Sequence, residues 1–272
     1  MTKIQNIQQI TIILRGAGDL ATGVALRLHR AGFRNLLLLE REHPLAVRRL
    51  VSFSEAVTLG AVCVEGIRAE RITVNEADSP WRRDGVIPVL VDPKGKSIAG
   101  LGPDVVIDAI LAKRNTGTRI DDAKLVIGLG PGFTAGEDVH CVIETMRGHG
   151  LGRVISSGAP LADTGVPGSI GGYTGERLLR APKDGLFITS RDIGDRVQEG
   201  ETVATVAGTP VIAQISGVLR GLLRSDTPVN RGTKLGDIDP RGKTDFCRTA
   251  SDKAMAIGGG VLEAICGWYN RK

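Results

Sequence analysis

The stretch Ile10-Thr11-Ile12-Ile13-Leu14-Arg15-Gly16-Ala17-Gly18-Asp19-Leu20 decides how the rest of the chain is read. Its first five residues are largely apolar and rich in β-branched side chains, the pattern of a strand buried on both faces of a parallel sheet. A glycine turn follows at once. From Leu20 the apolar residues Val24, Leu28 and Ala31 recur at helical spacing, and Gly32 stands where a C-terminal cap belongs. Leu36 to Leu39 then forms a second apolar run ending at Glu40. Strand, turn, helix and strand make a βαβ unit of the expected size.

Within it, Gly16-x-Gly18-x-x-Ala21 fits the dinucleotide fingerprint, and each position has a physical task. Gly16 permits the tight turn, Gly18 lets a pyrophosphate approach the backbone, and Ala21 keeps helix and strand close. The helix that follows from Leu20, just after Asp19, offers free N–H groups and a positive dipole end to phosphate. Glu40, at the end of the second strand, is placed to bind ribose hydroxyls. The expected ligand is NAD or another dinucleotide, such as a molybdopterin dinucleotide, held by Gly16, Ala17, Gly18, Asp19, Leu20 and Glu40.

Further strands are expected at Val62 to Val64, Val86 to Val91, Val105 to Ile110, Leu125 to Ile127 and Val154 to Ile155, with a short helix after Pro44. Leu125 to Phe133 feeds a second glycine loop in which Gly128, Gly130 and Gly132 alternate. That backbone either wraps an anion or makes a tight reversal into an apparent strand at Val139 to Ile143. Asp108, closing a buried strand, and Lys113 and Arg114 just after it would line the same crevice at the strand ends. Gly130, Gly132 and Asp108 therefore join the expected binding residues.

Composition bounds the alternatives. The 272 residues carry a net charge of +5 and only 3% aromatics, with basic residues scattered along the chain. That excludes a nucleic-acid stacking platform and leaves a solvated basic surface. The N-terminus has no basic-then-apolar signal region, and no apolar run is long enough to span a bilayer, so a cytoplasmic protein is expected. Cys63, Cys141, Cys247 and Cys266 form no CxxC pair, and His140, Glu144 and His149 lack metal-ligand spacing, so no metal is expected. No catalytic group announces itself.

Past Pro182 short strand-like pieces alternate with glycines. Asp195 to Ala204 and Thr227 to Gly236 share the pattern Val-x-x-Gly-x-x-(Val/Leu)-small, a repeat expected to give two similar hairpins. The last segment, Ala250 to Tyr269, has Ala254, Ile257, Val261, Leu262 and Ile265 at helical spacing, with Ser251 or Asp252 as N-cap. Gly258-Gly259-Gly260 inside it calls for a broken helix or for another backbone packed closely against it.

The repeat, with Ala213 to Gly221 after it, resembles the barrel-sandwich hybrid of biotinyl and lipoyl carrier domains. The carrier hairpin is shortened to Gly208-Thr209-Pro210, and no lysine lies between Lys183 and Lys234, so neither biotin nor lipoate is expected. RGAGDLATGVALRL, VIGLGPGFTAGEDVHCVIETMRGHGLGRVI, KLGDIDPR and AMAIGGGVLEAI together resemble the YqeB-type proteins of the selenium-dependent molybdenum hydroxylase system. That system also contains XdhC-like sulfurylation and insertion factors carrying a Rossmann domain. The resemblance implies a nucleotide-binding accessory protein for maturation or activation of such a hydroxylase. Its partners would be the hydroxylase or its cofactor-insertion machinery, and a homo-oligomer stays open. The alternative is an NAD(P)-dependent oxidoreductase acting on a small metabolite. The expected architecture is α/β: a Rossmann-like parallel-sheet domain over residues 1–180, a smaller, mostly β, barrel-sandwich-hybrid-like domain over 181–245 and a C-terminal helix over 246–272.

Overall fold

The computed structural model describes residues 6–73 and 85–270. Residues 1–5, part of the stretch read for a targeting signal, and residues 271–272 of the expected C-terminal segment lie outside the described residues. The chain divides into two compact units, one of residues 1–44, 52–163 and 250–272 and one of residues 45–51 and 164–249.

In the first unit, β1 (Thr11–Arg15), α1 (Asp19–Arg30) and β2 (Asn35–Glu40) form where the apolar pattern places them. Asp19 in the first turn of α1 and Arg27 and Arg30 in the last complement the helix dipole, and Gly32 takes the left-handed conformation (φ +102°) just past its end. A short α2 (Glu55–Leu59) leads into a hairpin of β3 (Ala61–Val64) and β4 (Ile67–Ile72). β5 (Val86–Val91), α3 (Ser97–Leu101), β6 (Val105–Asp108), β7 (Leu125–Leu129), β8 (Cys141–Ile143) and β9 (Val154–Ile155) follow. α4 (Asp252–Asn270) completes the unit from the far end of the chain.

All nine strands join one sheet in the order β3-β4-β5-β2-β1-β6-β7-β8-β9. The neighbours from β4 to β8 pair in parallel, whereas the outermost pairs, β3 with β4 and β8 with β9, are antiparallel. This corrects the expected Rossmann-like parallel-sheet domain. A doubly wound fold needs a helical crossover for each parallel pair so that both faces are covered. Here, among the described residues, only the β1-to-β2 connection contains a long helix. The route from β2 to β5 passes through the β3–β4 hairpin, and β6, β7 and β8 are joined without an α-helix.

The C-terminal helix is likewise no third region after a β domain, because α4 packs along α1 inside the first unit. Glycines make this close approach possible. A Cβ on Gly23 would lie 2.6 Å from the Ala254 Cβ, and one on Gly258 would lie 3.0 Å from the Gly23 carbonyl oxygen. Gly260 meets the backbone of Gly152 in the same way. The triple glycine therefore does not break α4, and Ser251 caps the helix by accepting from Ala254 N at 3.1 Å. Ile13, Leu37, Leu90, Val106, Val126 and Val142 are among the side chains that build a buried cluster on the sheet.

The second unit is antiparallel throughout. β10 (Leu178–Arg180), β17 (Lys234–Asp239), β15 (Gly217–Leu222) and β12 (Arg196–Val197) make one four-stranded sheet. β14 (Thr209–Ile212), β13 (Thr202–Val206), β11 (Gly185–Ile188) and β16 (Thr227–Val229) make the other. The repeat takes reciprocal places in them. β12 and β13 are joined through Gly200 (φ +82°), and β16 and β17 through Gly232 (φ +81°), each pair passing from one sheet to the other in opposite senses. Phe187, Val206, Leu219, Leu222, Leu235 and Ile238 fill the core. Residues 45–51 reach into it from much earlier in the chain: Val47 packs on that core, and its carbonyl accepts from Leu222 N at 2.7 Å.

No helix among the described residues is long and apolar enough to cross a membrane.

Candidate functional site at the strand ends

In open α/β sheets, ligands and partners meet the loops at the C-terminal ends of the parallel strands, above all where strand order reverses. Here the reversal lies at β1, which has β2 on one side and β6 on the other. The loops carrying the expected binding residues are gathered at this edge, but their glycines are occupied by protein. A Cβ on Gly16 (φ +103°) would lie 2.9 Å from the Ala109 carbonyl oxygen. One on Gly132 (φ +108°) would lie 2.5 Å from Arg114 N and 2.6 Å from its Cα, and one on Gly130 would run into the Thr145 side chain. Gly128 is likewise filled, by the ring of Phe133. The missing side chains let the loops after β1, β6, β7 and β8 lock together. Of the expected fingerprint glycines only Gly18 faces open space.

Glu40 is also committed to the loop itself. Its Oε2 accepts from Ala17 N at 3.0 Å and its Oε1 from Arg41 N at 2.8 Å. Burial raises its pKa above the ordinary glutamate value despite those two hydrogen bonds. Ala17 is fully buried, its carbonyl accepting from Ser54 N at 2.8 Å; Asp19 sits in the first turn of α1, and Leu20 is buried.

Asp108 belongs to a buried network that sequence reasoning recognised only in part. Arg15 and Asp108 face each other in register on β1 and β6, and both are almost fully buried, at 3% and 2% exposure. Arg15 Nη1 donates to Asp108 Oδ2 at 3.3 Å and also to Thr118 Oγ1. Thr118 Oγ1 in turn donates to Asp108 Oδ2 at 2.6 Å, while Asp108 Oδ1 accepts from Ile110 N at 3.1 Å. Burial raises the Asp108 pKa, opposed by these hydrogen bonds and by the guanidinium. Arg15 and Thr118 were missed; the available signal was a cation ending an otherwise apolar buried strand.

The network closes the neck of a loop, residues 109–118. Asn115 braces it, with Oδ1 accepting from Gly117 N at 2.8 Å and Thr118 N at 2.9 Å. Leu111 and Lys113 are held at φ +58° and +59°, a conformation that costs a non-glycine residue about 1–2 kcal/mol. Lys113 pairs with Asp163 at 2.5 Å, and Arg114 is exposed. Beside the loop an open depression of about 460 Å³ is lined by Asn115, Thr118, Arg119, Asp121, Glu137 and Asp138.

The residues weighed for a metal are used otherwise. His140 Nδ1 accepts from Val126 N at 3.0 Å and its ring meets Trp268 edge-on at 5.0 Å, while Glu144 accepts from Met146 N and Leu161 N. Burial pushes the Cys141 thiol up to about 11, which leaves it unreactive near neutrality.

The architecture and this edge define an α/β protein with a mixed sheet, an antiparallel β unit and an interlocked loop platform. The particular relative is YqeB of Escherichia coli strain K12, an uncharacterised protein, with which the chain is 49% identical over 254 residues, 93% of its own length. It is thus a YqeB homologue, and it spans about half (47%) of that protein. No protein-family model matches. Among solved structures it is similar to an aspartoacylase family protein from Mesorhizobium loti, with a TM-score of 0.27, 14% identity and 85% of each chain covered. It is also similar to a succinylglutamate desuccinylase from Silicibacter, with a TM-score of 0.25, 17% identity and 84% of each chain covered. Scores this low fall short of a shared fold.

The expectation of a nucleotide-binding maturation protein, and its alternative of an NAD(P)-dependent oxidoreductase, are corrected by the geometry of the strand-end loops. Gly16, Gly130 and Gly132 are filled by neighbouring backbone or side chain, and Glu40 is turned onto the Ala17 N–H that a phosphate or ribose would need.

Proposed function

We propose that this chain is a cytoplasmic component of the selenium-dependent molybdenum hydroxylase system and works by contact with the hydroxylase or its cofactor-insertion machinery. The observation that carries the reading is the YqeB similarity across nearly the whole chain. The loop platform supports it. Glycine loops that pack on one another form a firm surface at the sheet edge, and backbone strain held in the loop of residues 109–118 is the kind a protein retains where presentation of a side chain matters. Loops on a rigid scaffold are where contact residues concentrate.

Deletion of the gene in its native host, with the hydroxylase assayed after purification, tests the reading. The expected result is an inactive or cofactor-deficient hydroxylase whose activity returns with the wild-type gene, together with co-purification of the tagged chain and the hydroxylase or an insertion factor. A fully active hydroxylase from the deletion strain, with no co-purifying partner, would overturn it.

A further inference from the structure

Three loops at the C-terminal sheet edge, those after β2, β5 and β6, sort their charges by sign. After β2, Glu40 is turned inward onto Ala17 N and Arg41 N, whereas Arg41 is exposed. After β5, Asp92 accepts from Lys96 N at 3.0 Å and Ser97 N at 2.8 Å, whereas Lys94 and Lys96 are exposed. After β6, Asp108 is buried against Arg15 and Thr118, whereas Lys113 and Arg114 are exposed. The carboxylates Glu40, Asp92 and Asp108 spend their hydrogen-bonding capacity on backbone and on buried partners, whereas Arg41, Lys94, Lys96 and Arg114 face water and Lys113 is paired with Asp163; Glu42 and Asp121 are exposed acids on the same loops.

The strands run β5-β2-β1-β6, so three inter-strand steps, roughly 14 Å, separate the outer loops. They are physically joined as well: a Cβ on Gly95 would lie 3.3 Å from Arg15 Nε, and the Arg15 guanidinium reaches Asp108 and Thr118 at the neck of the next loop. The left-handed Leu111 and Lys113 hold the crest of that loop where Lys113 and Arg114 project.

From this we infer that the edge is a docking rim for an acidic segment of a partner protein, with Arg41, Lys94, Lys96 and Arg114 as its cations. Charge complementarity selects the occupant. A small phosphorylated ligand needs donors that converge in a crevice, and Gly16, Gly130 and Gly132 beneath this rim are filled by neighbouring backbone or side chain. Cations spread over three loops match a chain of carboxylates laid across them, and such contacts govern encounter and register. The inference rests on the reading of this chain as one that works by protein contact, and it specifies the surface that makes the contact.

The test uses the full chain and a fluorescein-labelled oligo-glutamate peptide, followed by anisotropy at low and high salt. The wild type should bind the peptide, with affinity falling as salt screens the exposed charges. The pair Lys94→Glu/Arg114→Glu should weaken binding roughly tenfold, since each reversal replaces an exposed attraction with a repulsion of similar size. The pair Lys183→Glu/Arg231→Glu, in the second unit, makes the same change in net charge and should bind as the wild type does. Three results overturn the rim: no peptide binding, an equal loss in both double variants, or inorganic pyrophosphate binding more tightly than the peptide. Binding confined to the rim, alongside an active hydroxylase in the deletion strain, would uphold the rim while removing the system assignment.

Discussion

Gly132→Ala is the substitution that most directly tests whether the glycines at the strand ends serve packing. Two costs add. Residue 132 sits at φ +108°, outside the basins open to alanine, which costs on the order of 1–2 kcal/mol. The new Cβ would also stand 2.5 Å from Arg114 N and 2.6 Å from Arg114 Cα. These are backbone atoms that no side-chain rotation can move, so one loop must shift, at about 1–3 kcal/mol for overpacking. The sum is about 2–5 kcal/mol, a large part of the roughly 5–15 kcal/mol that holds a protein folded. Gly18→Ala is the contrast. At φ −66° with nothing within 4 Å of a Cβ it meets no clash, and the loss of glycine at the N-cap of α1 opposes the entropic gain, so the change should stay within about 1 kcal/mol. Urea unfolding followed by circular dichroism measures both. If Gly132→Ala unfolds at the wild-type midpoint, or Gly18→Ala loses as much as Gly132→Ala, the interlocked-loop account is wrong.

Other consequences follow from the buried charges and the hairpin. Arg15→Met leaves Asp108 buried without its cation and should cost about 3–5 kcal/mol at neutral pH; the deficit should shrink as pH falls and Asp108 takes up a proton, and a pH-independent deficit in chemical denaturation would count against the ion pair. Asp92 is held below the ordinary aspartate range, because the Ser97 and Lys96 hydrogen bonds outweigh its burial. Its contribution is therefore present above the unfolded-state pKa and lost as pH falls through the depressed folded value. Asp92→Asn should cost about 0.5–2 kcal/mol at pH 7 and little at low pH, read from denaturation midpoints across that range. The β13–β14 turn is only Ala207 and Gly208, both at positive φ, and carries no lysine, so protein from its native host should show the bare polypeptide mass. A biotinyl or lipoyl increment would contradict that expectation.

The parts of the fold legible in the sequence are those in which one short segment carries the whole signal. β1, α1 and β2 follow from an apolar run, a 3.6-residue stripe and a second run, and β5 and β9 appear where their β-branched residues predict them. The hydrogen-bonded partners of those segments are not local. The antiparallel edges at β3 and β9, the lack of α-helices between β6, β7 and β8 and the passage of residues 45–51 into the second unit depend on contacts between residues far apart in sequence. The candidate site shows the same limit. Gly16-x-Gly18 predicts a tight turn, and the turn is there, but whether the missing Cβ makes room for phosphate or for the Ala109 carbonyl depends on a loop more than ninety residues away. Asp108 could be placed at a strand end. Its partner Arg15 could be recognised only once β1 and β6 were known to be neighbours.

The route of the chain also sets an order of assembly during synthesis. Residues 45–51 leave the ribosome long before residues 164–249, whose core Val47 helps to fill, and α1 emerges long before α4, the helix packed along it. Each unit thus waits on its own distant piece, and loop closure over such separations is slow relative to local contacts. Val47 must remain uncovered until residues 164–249 have emerged, and the face of α1 around Gly23 until α4 has. The nascent chain therefore offers chaperones two early apolar surfaces that the finished protein hides, and truncation before residue 252 would leave both units synthesised but the first without its closing helix.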